Sequence, residues 1–181
     1  MGTINTYTAY HVTDASNVDN IKNNNFTFNH DEEHWLGDGI YFFLDSSLAK
    51  NWGKNKPTSK YGKINNPVVL QTDVVVNKSE TIDMRFLSDY NYMKTAFDSY
   101  WSSVCDLHQS LNYANYKKIR CAFFNTCIEK TGCKCLIAYF NERNLSDHTE
   151  YSREFCSLKT PYMEVQMCVT DNSVIKNISE A

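Results

Sequence analysis

Trp35-Leu36-Gly37-Asp38-Gly39-Ile40-Tyr41-Phe42-Phe43 changes character at its midpoint. Two glycines within three residues permit a tight backbone turn. The run 39–44 that follows is aromatic and β-branched, which predicts a strand. Asp45 or Ser46 can then cap a short helix that continues through Trp52. Toward the N-terminus, residues 6–12 form a second aromatic and β-branched run and predict an earlier strand. Asp14 caps a helix after it, with Ala15, Val18 and Ile21 at helical spacing and the asparagines at 23–25 ending it.

Downstream, the valine-rich residues 67–76 predict a third strand, with Pro67 at its start, where a missing N–H costs little. Tyr90, Met93, Phe97, Tyr100, Val104, Leu107 and Leu111 step by threes and fours, and so do Tyr116, Ile119, Phe123 and Cys127. These are the apolar stripes of two helices that pack on a core, and Gly132 stops the second. Residues 134–140 and 162–169 predict two more strands, separated by a polar segment at 141–160. The order is strand, helix, strand, helix, strand, two helices, strand, strand. That is an α+β fold in a single domain, 1–181, and not a doubly wound parallel sheet. No G-x-G-x-x-G opens a helix after a strand and no Walker A motif occurs, so neither phosphate-binding loop is indicated.

The chain has 181 residues, long enough for a sizeable core, and an aromatic share of 14% favours a packed fold over disorder. A formal net charge of −3 argues against generic nucleic-acid binding and is silent about local patches. Residues 1–30 show no basic leader followed by an apolar run, and no apolar stretch approaches the roughly 20 residues of a membrane span. A cytoplasmic protein with no membrane partner is expected. The seven cysteines, Cys105, Cys121, Cys127, Cys133, Cys135, Cys156 and Cys168, are odd in number, which suits reduced thiols. Cys133 and Cys135 make one C-x-C pair with no second pair at zinc spacing, so no metal site is expected.

The final strand carries the most chemistry. Side chains alternate faces along a strand. Met163, Val165, Met167 and Val169 therefore share one apolar face, and Tyr162, Glu164, Gln166 and Cys168 share the other. The second face presents a carboxylate beside a carboxamide. Taken alone, that pattern also fits an edge strand with a solvated face.

Three stretches together resemble the ADP-ribosyltransferases of the H-Y-E type, the branch of diphtheria toxin and poly(ADP-ribose) polymerase. Tyr10-His11-Val12-Thr13 is similar to their Y-H-G-T opening. Trp35 to Phe43 is similar to their G-x-G-I-Y-F motif, with Ala49 and Trp52 on the helix after it. Glu164-Val165-Gln166-Met167-Cys168-Val169 resembles the strand that bears their catalytic Glu. The resemblance spans residues 10 to 171 and implies a split, twisted β-sheet core with a cleft for NAD⁺. It implies that His11 holds the ribose next to nicotinamide and that Tyr41 stacks on the nicotinamide ring. It implies that Gly37 and Gly39 shape the pocket wall, and that Val12, Thr13 and Trp52 also line the cofactor site. The acidic residue of the last strand would favour departure of nicotinamide.

The physical logic is compatible with those roles. Breaking the nicotinamide–ribose bond builds positive charge on the sugar, and a fixed carboxylate is worth most as that charge develops. An aromatic face suits a cationic planar ring. The chain departs from the pattern at two places. Val12 stands where the family has Gly, so a side chain must find room. Counting from the start of the strand favours Glu164 as the acid, whereas counting back from Asp171 favours Gln166. Glu164 is preferred, because a neutral amide stabilises a cationic sugar less well.

Target choice has two candidate regions. No acidic residue lies between Asp45 and Asp73, while Lys50, Lys54, Lys56, Lys60 and Lys63 do, with Trp52 and Tyr61 among them. A solvated loop and a contact for the NAD⁺ diphosphate or a nucleic-acid target both fit such a run. The polar segment before the last strand supplies Arg143, Asp147, His148, Glu150, Tyr151 and Arg153. The expected function is mono-ADP-ribosyl transfer from NAD⁺ to RNA, DNA or protein with release of nicotinamide. Intracellular toxins of toxin–antitoxin or phage-defence systems are similar in size, which would add an antitoxin or inhibitor protein as a partner. The alternative is a non-catalytic module that binds NAD⁺ or ADP-ribose in the same cleft.

Overall fold

In the computed structural model, which describes residues 2–28, 30–55, 64–107, 116–140 and 164–181, β1 (Ile4–Asp14) pairs with β3 (Pro67–Asn77) along its whole length. Their antiparallel register runs from Ile4 opposite Asn77 to Asp14 opposite Pro67. The other described strands are β2 (Ile40–Phe43), β4 (Thr81–Asp83), β5 (Cys135–Phe140), β6 (Glu164–Val169) and β7 (Ile175–Glu180). They join one seven-stranded sheet in the order β4-β5-β6-β2-β1-β3-β7, antiparallel except for the β4–β5 pair. The junction in its middle is narrow. β1 meets β2 at a single registered pair, Tyr10 opposite Phe43, whereas β2 pairs with β6 at all four of its residues.

The helices follow the apolar spacing. Asp14 accepts a bond from Ser16 N at 3.0 Å and opens a 3-10 turn that leads into α1 (Val18–Asn24), where Val18 and Ile21 are buried. Asp45 accepts from Ser47 N at 2.7 Å at the start of α2 (Ser46–Asn55), so Asp45 rather than Ser46 supplies the cap. Two longer helices, α3 (Leu87–Leu107) and α4 (Tyr116–Thr131), cover the β4-β5-β6 half of the sheet. Gly132, at φ +67°, ends α4 and returns its N–H to the Ile128 carbonyl at 2.9 Å.

Each face of the sheet has its own core. On one, Ala9, Phe42, Leu70, Met167 and Val169 pack against Val18, Ile21 and Phe26. On the other, Leu136, Ala138 and Cys168 pack against Leu36, Met93, Phe123 and Phe124. The described part of β6 alternates as its sequence predicts, with Met167 and Val169 in the first core and Cys168 in the second. Its polar face is not solvated, because Glu164 is only 4% exposed.

Two strands lacked a readable signal. β4 has three residues, too few to show alternation. β7 is mostly polar, contains Asn177 at φ 55° and follows a register shift between Gln71 and Asp73. Among the described residues, no helix is long and apolar enough to cross a membrane.

Candidate functional site

The glycine turn is built against β6 and α4. Gly37 has φ +82°, a left-handed conformation, and a Cβ there would lie 2.5 Å from Asn125 Oδ1. At Gly39 a Cβ would lie 2.5 Å from Cys168 Sγ and 2.6 Å from the Val169 carbonyl. Both positions require glycine because the turn is pressed directly onto its neighbours. Asp38, between them, accepts from Asn125 Nδ2 at 3.1 Å and contacts His30 Nδ1 at 2.7 Å and His34 Nδ1 at 3.2 Å. Burial would raise the Asp38 carboxyl, but the His30 and His34 contacts outweigh it and hold the group below its usual value. The neighbouring carboxylate raises His30.

Tyr41 is committed to the same turn. Its hydroxyl donates to the Gly37 carbonyl at 2.8 Å and accepts from Leu36 N at 2.7 Å. Its ring packs among the second core and meets His34 at 5.4 Å between centroids. Burial pushes the phenol far above its ordinary value. His11 lies across the narrow β1–β2 junction, with Nδ1 2.8 Å from the Tyr41 carbonyl. Its ring contacts Phe26 and Phe42, centroids 5.0 and 5.7 Å away, on the face of the first core. The side chains of His11 and Tyr41 therefore stand on opposite faces of the sheet. The reason is alternation along β2, which sends Phe42 to the His11 side and Tyr41 to the other.

Glu164 and Gln166 share the Tyr41 face. Gln166 lies opposite Phe43 and Ala138, and Glu164 lies opposite Phe140. The Gln166 amide donates to Glu164 Oε1, so the carboxamide orients the carboxylate. On the β1 side of this face, Val12 is buried against α2. A Cβ added at Gly53 would lie 2.9 Å from Val12 Cγ1, so the absence of a side chain on α2 supplies the room that Val12 needs. Thr13 is buried and contacts Asn17 Nδ2 at 3.4 Å. Trp52 of α2 lies 6.2 Å from the Phe43 ring. One face thus carries α2 with Trp52 at one side, Leu36 and α4 at the other, and Phe43, Gln166 and Glu164 between them.

Beside Phe140, the cross-strand partner of Glu164, stands a group that sequence reasoning missed. Trp35 is 53% exposed, with the Arg120 guanidinium centre 4.0 Å from its ring centroid and Phe140 edge-on at 5.2 Å. Trp35 lies within the glycine motif, but Arg120 comes from α4 and no spacing connects the two.

Of the target-contact candidates, Lys54 is exposed on α2, while Lys56, Lys60, Tyr151 and Arg153 lie outside the described residues, as do Tyr61, Lys63, Arg143, Asp147, His148 and Glu150. Cys121, Cys127, Cys133, Cys135 and Cys168 are free thiols. Burial raises the Cys133 thiol to about 11, which suits packing rather than reaction. Among the described residues, no cluster of His, Cys, Asp and Glu could hold a metal ion.

No known family profile matches the chain. It is similar to an uncharacterized protein of Methanocaldococcus jannaschii, with 26% identity over 191 residues, covering 94% of this chain and 85% of that protein.

Proposed function

We propose that the chain is a mono-ADP-ribosyltransferase with an ADP-ribosyltransferase-like fold that uses NAD⁺ as donor. The observation that carries this reading is the buried Glu164 carboxylate, oriented by Gln166 on the face shared with Val12, Phe43 and Trp52. The narrow β1–β2 junction supports it, because a sheet nearly divided there suits a ligand that lies across the seam.

In this reading the Val12 main chain binds the nicotinamide carboxamide and Trp52 offers its ring to the nicotinamide plane. The bond from ribose C1′ to nicotinamide breaks with its electron pair leaving on the pyridine nitrogen. Positive charge grows on the sugar, and the nearby Glu164 carboxylate stabilises it. The acceptor then bonds to C1′ and gives up a proton. Gln166 is a positioning residue that holds Glu164. Tyr41 fixes the glycine turn, and His11 fixes the seam. RNA, DNA or protein is the acceptor, and an antitoxin or inhibitor protein is the partner if the chain acts as a toxin.

The second reading is a module that binds NAD⁺ or ADP-ribose without turnover. It is favoured by one observation: Glu164 Oε1 already holds the Gln166 amide. Incubation with labelled NAD⁺, cellular protein and RNA separates the two. The transferase releases nicotinamide and labels one pool, and Glu164→Gln lowers the rate by roughly 100-fold or more. Saturable NAD⁺ binding with no nicotinamide released selects the binding module. Equal rates in the wild type, Glu164→Gln and Gln166→Ala would remove this strand from the chemistry.

A further inference from the structure

The strand that separates Trp52 from Glu164 has little support of its own. β6 is held along one side by β5, which registers with all six of its residues. β2 has four residues, and only Phe43, opposite Tyr10, registers it with β1. Yet Phe43 lies opposite Gln166 and 6.2 Å from the Trp52 ring, so the place of β2 sets the gap between Trp52 and the Glu164–Gln166 pair. The glycine turn leads straight into β2, and α4 grips that turn through one side chain. Asn125 Oδ1 accepts from the Asp38 main-chain N–H at 2.7 Å, and Asn125 Nδ2 donates to the Asp38 carboxylate at 3.1 Å. A carboxamide that both accepts from and donates to one residue fixes its orientation as well as its distance. Gly37 closes on the same side chain, since a Cβ there would lie 2.5 Å from Asn125 Oδ1.

The geometry points to Asn125 as a positioning residue for nicotinamide departure, which from α4 clamps the glycine turn and thereby sets where β2 lies between Trp52 and Glu164. This inference rests on the transferase reading. Asn125 acts through Asp38 and β2 and takes no part in a covalent step. The groups assigned to NAD⁺, the Val12 main chain and Trp52, belong to β1 and α2, which pack on each other where Gly53 meets Val12. Loosening the turn therefore leaves the donor bound and displaces it relative to the carboxylate. A misplacement of that kind lowers the rate of the bound complex rather than its affinity.

The test measures nicotinamide release from NAD⁺ by the full chain, with kcat and KM expressed per folded molecule well below the unfolding temperature. Asn125→Leu removes both bonds and is expected to lower kcat by up to about 100-fold with KM for NAD⁺ close to that of the wild type. Asn125→Asp is nearly isosteric and keeps the main-chain bond, so it remains testable if Asn125→Leu folds poorly. It sets a carboxylate against Asp38 and should lose part of the rate. The double variant Asp38→Asn/Asn125→Asp exchanges donor and acceptor between the two side chains and should regain most of that loss. Amide exchange should quicken in Ile40–Phe43 of Asn125→Asp while the β1–β3 pairs stay protected. Wild-type kcat in both single variants, with only the melting temperature lowered, overturns the positioning role and leaves the transferase reading standing. A rise in KM at constant kcat also overturns it. A wild type that releases no nicotinamide overturns the transferase reading, and the role of Asn125 with it.

Discussion

His11 Nδ1 lies 2.8 Å from the main-chain oxygen of Tyr41, and this contact crosses the sheet where β1 and β2 share one registered pair. A carbonyl only accepts, so Nδ1 carries the proton and Nε2 keeps its lone pair. Burial lowers the pKa of His11 more than the Tyr41 bond raises it. The ring is held neutral at a point where little main-chain pairing ties the two halves of the sheet together.

Replacing His11 by Phe removes the donor and leaves the Tyr41 oxygen unmet, for a loss of about 1–3 kcal/mol in urea unfolding. The pH dependence follows from the sign of the shift. The folded pKa is below the unfolded value of about 6.5, so the unfolded chain binds more protons, and the contribution is full above that value. It is lost as pH falls from there toward the folded pKa. The stability gap between wild type and His11→Phe should therefore shrink on acidification below about pH 6.5. A gap that does not change with pH would contradict a neutral, half-buried His11.

Three glycines should respond differently to alanine. Gly39→Ala drives a methyl into Cys168 Sγ and the Val169 carbonyl, and overpacking of this kind costs about 1–3 kcal/mol or more. Gly37→Ala adds left-handed strain to a collision with Asn125. Gly132→Ala meets nothing within 4 Å and should show only the strain of its φ, about 1–2 kcal/mol. Thermal unfolding ranks them, and equal shifts for all three would show that Gly37 and Gly39 are not packed as described.

Val12 and Gly53 should be energetically coupled. Gly53→Ala brings a methyl within 2.9 Å of Val12 Cγ1 and destabilises the α2–β1 contact. In a Val12→Ala background the added methyl has space, so the double mutant should recover on the order of 1 kcal/mol relative to additivity. Strict additivity in a denaturation cycle would separate the two positions.

His30 reports on Asp38. The carboxylate contact raises the His30 pKa, so the charged pair is present below the unfolded value of about 6.5 and is lost as pH rises through the higher folded pKa. An NMR titration should find His30 above its ordinary value in the wild type and close to it in Asp38→Asn. An unchanged midpoint would place the His30 partner elsewhere.

Much of the architecture is a local property of the chain. The caps at Asp14 and Asp45, the stop at Gly132, the predicted strands over 6–12, 39–44, 67–76 and 134–140 and the alternation of β6 rest on neighbouring residues, and short-range sterics and hydrogen bonding act over the same distances. β4 and β7 escaped because one is too short and the other too polar and irregular for a period to show. At the site, Glu164 and Gln166 were legible as one face of a strand, whereas burial of that face depended on α3 and α4 arriving from elsewhere in the chain. Register decided the rest. Tyr10 pairs with Phe43, which sets His11 beside Phe42 and turns Tyr41 to the opposite face. The Arg120–Trp35 contact joins a helix to a turn 85 positions earlier (120 minus 35). Such relations arise only when strands align and helices dock, because a shift of one residue in register reverses every side chain that the sequence can merely order.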